Sequence, residues 1–158
     1  MSKDLSHYKH GGARASVLLH ERHMRTCLAA WKGAKAANIP LPQTSDKSYE
    51  SLETLLAHIL RASRGYMVWM CKQLNLPDPG IKPAPESDTV EADADAYLEH
   101  LLERWRLPLA DVPEEKFGPD TYVSNWGTPY CIDAMLEHAV MHPIKHEFQL
   151  KNLLEAQS

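Results

Sequence analysis

Apolar residues recur along this chain at the three- and four-residue spacing of helices, not at the alternation of strands. From about Ala13 to Ala37, one face collects Val17, His20, Met24, Cys27, Leu28 and Trp31. A second helix is expected from Ser48, an N-cap side chain, to about Leu74, with Leu52, Leu55, Leu56, Ile59, Tyr66, Met67 and Met70 on its stripe. A third opens with the capping-box pair Asp88 and Glu91, carries Val90, Ala94, Tyr97, Leu98, Leu101 and Trp105, and stops before Pro108. The fourth takes Thr128 as N-cap and Pro129 in its first turn and runs to about Glu155. Prolines at 40, 42, 77, 79, 83, 85, 108, 113, 119 and 129 bound these stretches, because proline disrupts helix interiors. Between the third and fourth helices, Thr121 to Ser124 reads as a short extended piece. Four amphipathic helices with little strand predict an all-α, four-helix bundle.

The length of 158 residues suits a single domain spanning 1–158, with residues 1–12 expected to be flexible. A net charge of −4 and no basic run argue against a nucleic-acid partner. The longest strictly apolar run, Tyr66 to Cys71, falls far short of the ~20 residues that cross a bilayer, so no membrane partner is expected. The N-terminus lacks the apolar core of a signal peptide. Cys27, Cys71 and Cys131 form no CxxC motif and cannot all pair, so they read as reduced, buried thiols of a cytoplasmic protein.

Histidine changes the picture, with nine against 17 Lys and Arg together. His138, His142 and His146 are each four residues apart, so they drift only ~40° per step and share one stripe of the fourth helix. Cys131, Met135, Gln149 and Leu153 lie on that stripe too, which places the histidines on the face that points into the bundle. Imidazoles at i and i+4 project side by side and can share one metal ion. His58, in the apolar run Leu55-Leu56-Ala57-His58-Ile59-Leu60, is the best third ligand, and three protein ligands leave a position open for water or substrate. A lone buried histidine is more often a hydrogen-bonded core residue, and that alternative applies to His58 and to His20. His7 and His10 read as part of a loose terminus, and His23 and His100 as solvated. His20-Glu21-Arg22-His23 is one residue short of the HExxH zinc-protease spacing. No histidine has Glu three residues before it, which argues against a di-iron bundle.

A lone histidine in the second helix and a His-x-x-x-His pair in the fourth resemble the DinB/YfiT-like family of four-helix-bundle metalloproteins. The resemblance rests on Leu56-Ala57-His58-Ile59-Leu60 and on the run from Glu137 to Gln149, and it spans nearly the whole chain in order and spacing. It implies His58, His142 and His146 as ligands of a divalent metal, nickel or zinc, and an up-down-down-up helix order. Two features depart from the family. Glu147-Phe148 stand where it often carries Arg-Gly before the matching Gln149, and Pro143 lies between the two ligand positions, removing a helical hydrogen bond to the carbonyl of Ala139.

The resemblance further implies a metal-dependent transferase or isomerase that uses a low-molecular-weight thiol and a small-molecule substrate. A metal held by neutral imidazoles would lower the pKa of a bound thiol or water. Arg61 and Arg64 are candidates to attract an anionic thiol, with solvated surface residues as the alternative, and Tyr122, Trp126 and Tyr130 are candidates to wall the cavity mouth. No catalytic residue is singled out. Two other readings stand beside this one: a non-enzymatic metal-binding or stress-response bundle, and a metal-free interaction module acting as a homodimer. There is no Ser-His-Asp order and no Gly-rich phosphate loop.

Overall fold

The computed structural model describes residues 5–157. The four stripes fold as α1 (Gly11–Ala36), α2 (Leu52–Gln73), α3 (Val90–Trp105) and α4 (Ile132–Ala156). One two-stranded antiparallel sheet, β1 (Tyr122–Val123) with β2 (Pro129–Tyr130), completes an all-α bundle. Every apolar-stripe residue predicted for α1, α2 and α3 is buried, including His20. Each of those side chains removed from water contributes roughly 1.5–3 kcal/mol for the larger apolar types.

Cross-helix pairs give the helix directions. His20 Nε2 meets Ser63 Oγ at 2.8 Å and Trp31 Nε1 donates to the carbonyl of Leu52 at 2.6 Å, so α1 and α2 run antiparallel. Arg106 reaches Glu21 at 2.7 Å and Lys32 reaches Asp95 at 2.6 Å, so α3 is antiparallel to α1 as well. Thr26 donates to Glu147 at 3.0 Å and His10 lies 3.3 Å from Asp133, which makes α4 parallel to α1. The order is up, down, down, up, and the most extensive helix pairing joins α1 to α4.

The helix ends differ from the sequence reading in instructive ways. Ser48 sits in a 3-10 turn, Lys47–Tyr49, capped by Asp46, and the N-cap of α2 is Ser51, whose side chain accepts from the N–H of Thr54. Asp88 and Glu91 form no capping box, because α3 starts at Val90 and the N–H of Val90 donates to the carbonyl of Glu86. Thr128 and Pro129 do not open α4. Pro129 is taken by the sheet, and the cap is Cys131, whose Sγ accepts from the N–H of Ala134 at 3.4 Å. At their C-terminal ends α1 and α2 stop on Asn38 and Asn75, both left-handed at φ 53° and 55°. There the N–H groups of Ile39 and Leu76 close back on Ala34 and Cys71, satisfying otherwise orphaned carbonyls.

The N-terminal stretch makes long-range contacts. Residues 1–4 lie outside the described residues, but Leu5 is buried, the N–H of Lys9 donates to Ala110, and Tyr8 Oη donates to the carbonyl of Arg106. His10 packs on the ring of Phe117, 4.4 Å between centroids. These partners are about a hundred residues away in the chain, so no local signal announces them.

Candidate metal centre

His58 comes from the middle of α2, and His142 and His146 from two successive turns of α4. Antiparallel packing of α2 on α4 brings the three rings together, and one ligand atom from each lies within 4.8 Å of the others. Among the described residues no other set of three His, Cys, Asp or Glu side chains gathers this way. His142 Nε2 is 3.1 Å from His58 Nε2 and 3.3 Å from His146 Nε2. Two nitrogens bound ~2.0–2.1 Å from one tetrahedral ion stand about 3.3–3.4 Å apart, close to the two separations that His142 makes.

The tautomers point the same way. His146 Nδ1 lies 2.9 Å from Gln149 Oε1, and a carboxamide oxygen only accepts, so Nδ1 carries the proton and Nε2 holds a lone pair. Tyr49 Oη donates to the same oxygen at 3.1 Å, fixing the carboxamide. His142 Nε2 then faces two nitrogens and has one proton at most to offer them. A cation would satisfy all three lone pairs, and imidazole donors suit several divalent first-row metals.

Electrostatics keep the site neutral. Burial, reinforced by the neighbouring His146 and His58, pushes the pKa of His142 down to about 2, and burial pushes that of His146 down to about 4. Burial also lowers the pKa of His58, while the carboxylate of Asp46 pulls both His58 and His146 the other way. Neutral imidazoles at physiological pH are the ligand form that a metal requires.

Pro143 does not separate the pair. Helix α4 is continuous through it, and the two ring nitrogens stay 3.3 Å apart. One turn past the proline, Glu147 ties α4 to α1. Its buried carboxylate accepts from Thr26 at 3.0 Å and from Lys151 at 2.9 Å, with His23 Nδ1 at 3.7 Å.

Beside the three rings stands an aromatic wall. The ring of Tyr66 is 5.7 Å from that of His142 and 5.3 Å from that of His138. Trp126 and Tyr130 close on His138 at 5.3 and 5.7 Å, so His138 belongs to this wall and not to the three-histidine group. The turn carrying Trp126 is held by Ser124, whose N–H donates to the carbonyl of Thr128 and whose Oγ accepts from the N–H of Thr128. Gly127 takes φ 90° there, a conformation that side chains resist.

Other candidates lie elsewhere. Tyr122 packs on Trp69 at 6.3 Å, outside the wall. Arg64 donates to the carbonyl of Ile81, and Arg61 is exposed near Glu86 at 3.8 Å, which leaves both on the α2–α3 side. His20 is a core residue, stacked on Trp105 at 3.6 Å. His23 and His100 are not simply solvated, since His23 borders Glu147 and His100 Nε2 accepts from the N–H of Lys82 at 2.9 Å. Cys27 and Cys71 are buried free thiols, and Cys131 is a half-buried helix cap. Tyr49 and Asp46 were the parts of the centre with no sequence signal, because a proline-bounded loop delivers them. No family model, no curated protein and no solved structure matches the chain.

Proposed function

We propose that the protein is a divalent-metal-binding bundle of the DinB/YfiT-like kind, in which His58, His142 and His146 hold nickel or zinc, and that it is a metal-dependent enzyme. The carrying observation is the convergence of three histidine rings from two helices, with one ligand atom of each within 4.8 Å of the others and His142 Nε2 3.1 and 3.3 Å from its two neighbours. A divalent ion held by uncharged ligands keeps its full charge and supplies Lewis acidity, lowering the pKa of a thiol or water in its open position. The chain's own residues prepare that position. Gln149 orients His146 and sets its tautomer, Tyr49 locks Gln149, and Glu147 fixes the turn of α4 that bears His146. Tyr66, Trp126 and His138 offer an aromatic flank against which a small electrophile can lie. A low-molecular-weight thiol is the nucleophile this reading favours, as the resemblance implies. Three free thiols support a reducing, cytoplasmic setting.

Elemental analysis of protein purified without a histidine tag tests the centre. About one equivalent of nickel or zinc is expected, and less than a tenth of an equivalent in His142→Ala. Full stoichiometry in His142→Ala refutes the ligand assignment. A second reading, a non-enzymatic metal-binding bundle, draws on the same geometry, because an ion there would tie α2 to α4. Thiol-conjugation assays with and without metal separate the two. Metal-dependent stability with no turnover for any thiol favours the second.

A further inference from the structure

Behind His146, on its Nδ1 side, lies a second concavity that the metal centre does not use. It measures about 490 Å³, within the range of roughly 300–1,000 Å³ typical of small-molecule sites. Leu41, Leu55, Leu150 and Leu153 supply apolar walls, and Tyr49 and Gln149 stand at one end. Gln149 is the informative residue. Its oxygen already accepts two hydrogen bonds, from His146 and from Tyr49, whereas its amide nitrogen donates to no group among the described residues. An apolar cavity with one unused donor suits an occupant that is hydrocarbon over most of its surface and carries one acceptor. The acceptor should be uncharged. Asp46 lies just beyond Thr44, another lining residue, with its N–H bonded to Thr44 Oγ1, and its carboxylate acts on His146, so an anionic head would meet repulsion.

We propose that this cavity binds a neutral, apolar carbonyl compound, an acyl amide, ester or ketone, whose oxygen accepts from Gln149 Nε2, and that its occupancy is coupled to the three-histidine centre through that carboxamide. The coupling rests on the metal-binding reading, whereas the cavity does not. A carbonyl bound at Nε2 holds the carboxamide with Oε1 toward His146, which keeps the proton on Nδ1 and the lone pair on Nε2. Ligand and metal then strengthen each other by the same factor, as linkage requires.

The neutral naphthyl ketone dye prodan, whose emission shifts to the blue on leaving water, tests the cavity on metal-free protein. The expected result is a saturable blue shift at one dye per chain, reversed by octanamide and much less by octanoate. Leu153→Trp, which fills the cavity, and Leu41→Arg, which charges its wall, should each weaken the dye at least tenfold while thermal unfolding stays cooperative. A shift that does not saturate, that survives both substitutions, or that octanoate reverses as well as octanamide overturns the proposal. For the coupling, zinc affinity measured against a chromophoric chelator should tighten at least threefold with saturating octanamide, and not in Gln149→Leu. Unchanged zinc affinity overturns the coupling. Zinc binding without any dye shift overturns the cavity and leaves the metal centre standing. A dye shift in protein that takes up no zinc supports the cavity and overturns both the centre and the coupling.

Discussion

Acidification should expose how much of this fold rests on a histidine kept neutral. His20 is completely buried, its ring lies parallel to Trp105 at 3.6 Å, and Nε2 meets Ser63 at 2.8 Å. Burial pushes its pKa down to about 3, against ~6.5 for an unfolded chain. The folded pKa is depressed, so the contribution is fully present above the unfolded value and drains away as pH falls toward the folded one. At about pH 5 the unfolded state is stabilised by protonation over ~1.5 pH units while folded His20 stays neutral, a loss of about 2 kcal/mol. His20→Gln keeps a polar partner for Ser63 and cannot titrate. Urea unfolding of metal-free protein at about pH 7.5 and about pH 5 isolates the term, because every other titrating group is common to both proteins. The wild type should lose about 2 kcal/mol more than His20→Gln, about 1 M urea at the midpoint for a typical m-value. Equal losses in the two proteins would show that His20 is protonated inside the fold, and the burial argument would fail.

Three further outcomes follow from the contacts. Gln149→Leu removes the acceptor that orients His146, and zinc affinity by chelator competition should drop ~10–100-fold with the helix content unchanged. Met67→Ala opens a void at a fully buried position and should cost about 2–5 kcal/mol in denaturant unfolding. Cys131→Asp replaces a weak sulfur acceptor at the start of α4 with a strong one. It should stabilise by about 0.5–1 kcal/mol, read as a rise of a few degrees in Tm, and a fall would mean that the half-buried position rejects charge.

The helices and the histidine pair were legible because each depends on spacing within one segment. Val17 to Trp31 and Leu52 to Met70 show their buried face through periodicity alone, and His142 and His146 share a stripe for the same reason. His58 was legible as a polar residue in an apolar run. What stayed hidden depends on partners far along the chain. Thr128-Pro129 has the local pattern of a helix start, but pairing with β1 outweighs it. Cys131 is invisible as a cap because thiols seldom serve as one. His10 reads as part of a tail until Phe117 and Asp133, over a hundred residues away, are seen to hold it. The bond from Tyr49 to Gln149 likewise spans 100 residues.

The dominant pairing of α1 with α4 shapes how the chain comes into being. When α1 leaves the ribosome, the helix it needs has not been made, and translation from residue 36 to residue 156 takes on the order of ten seconds at typical rates. Over that interval the buried face of α1, Val17 and Met24 included, lacks its most extensive partner. The candidate centre follows the same timetable. His58 is made early, and it meets His142 and His146 only once α4 exists, so under the metal-binding reading an ion would be loaded after α4 has packed.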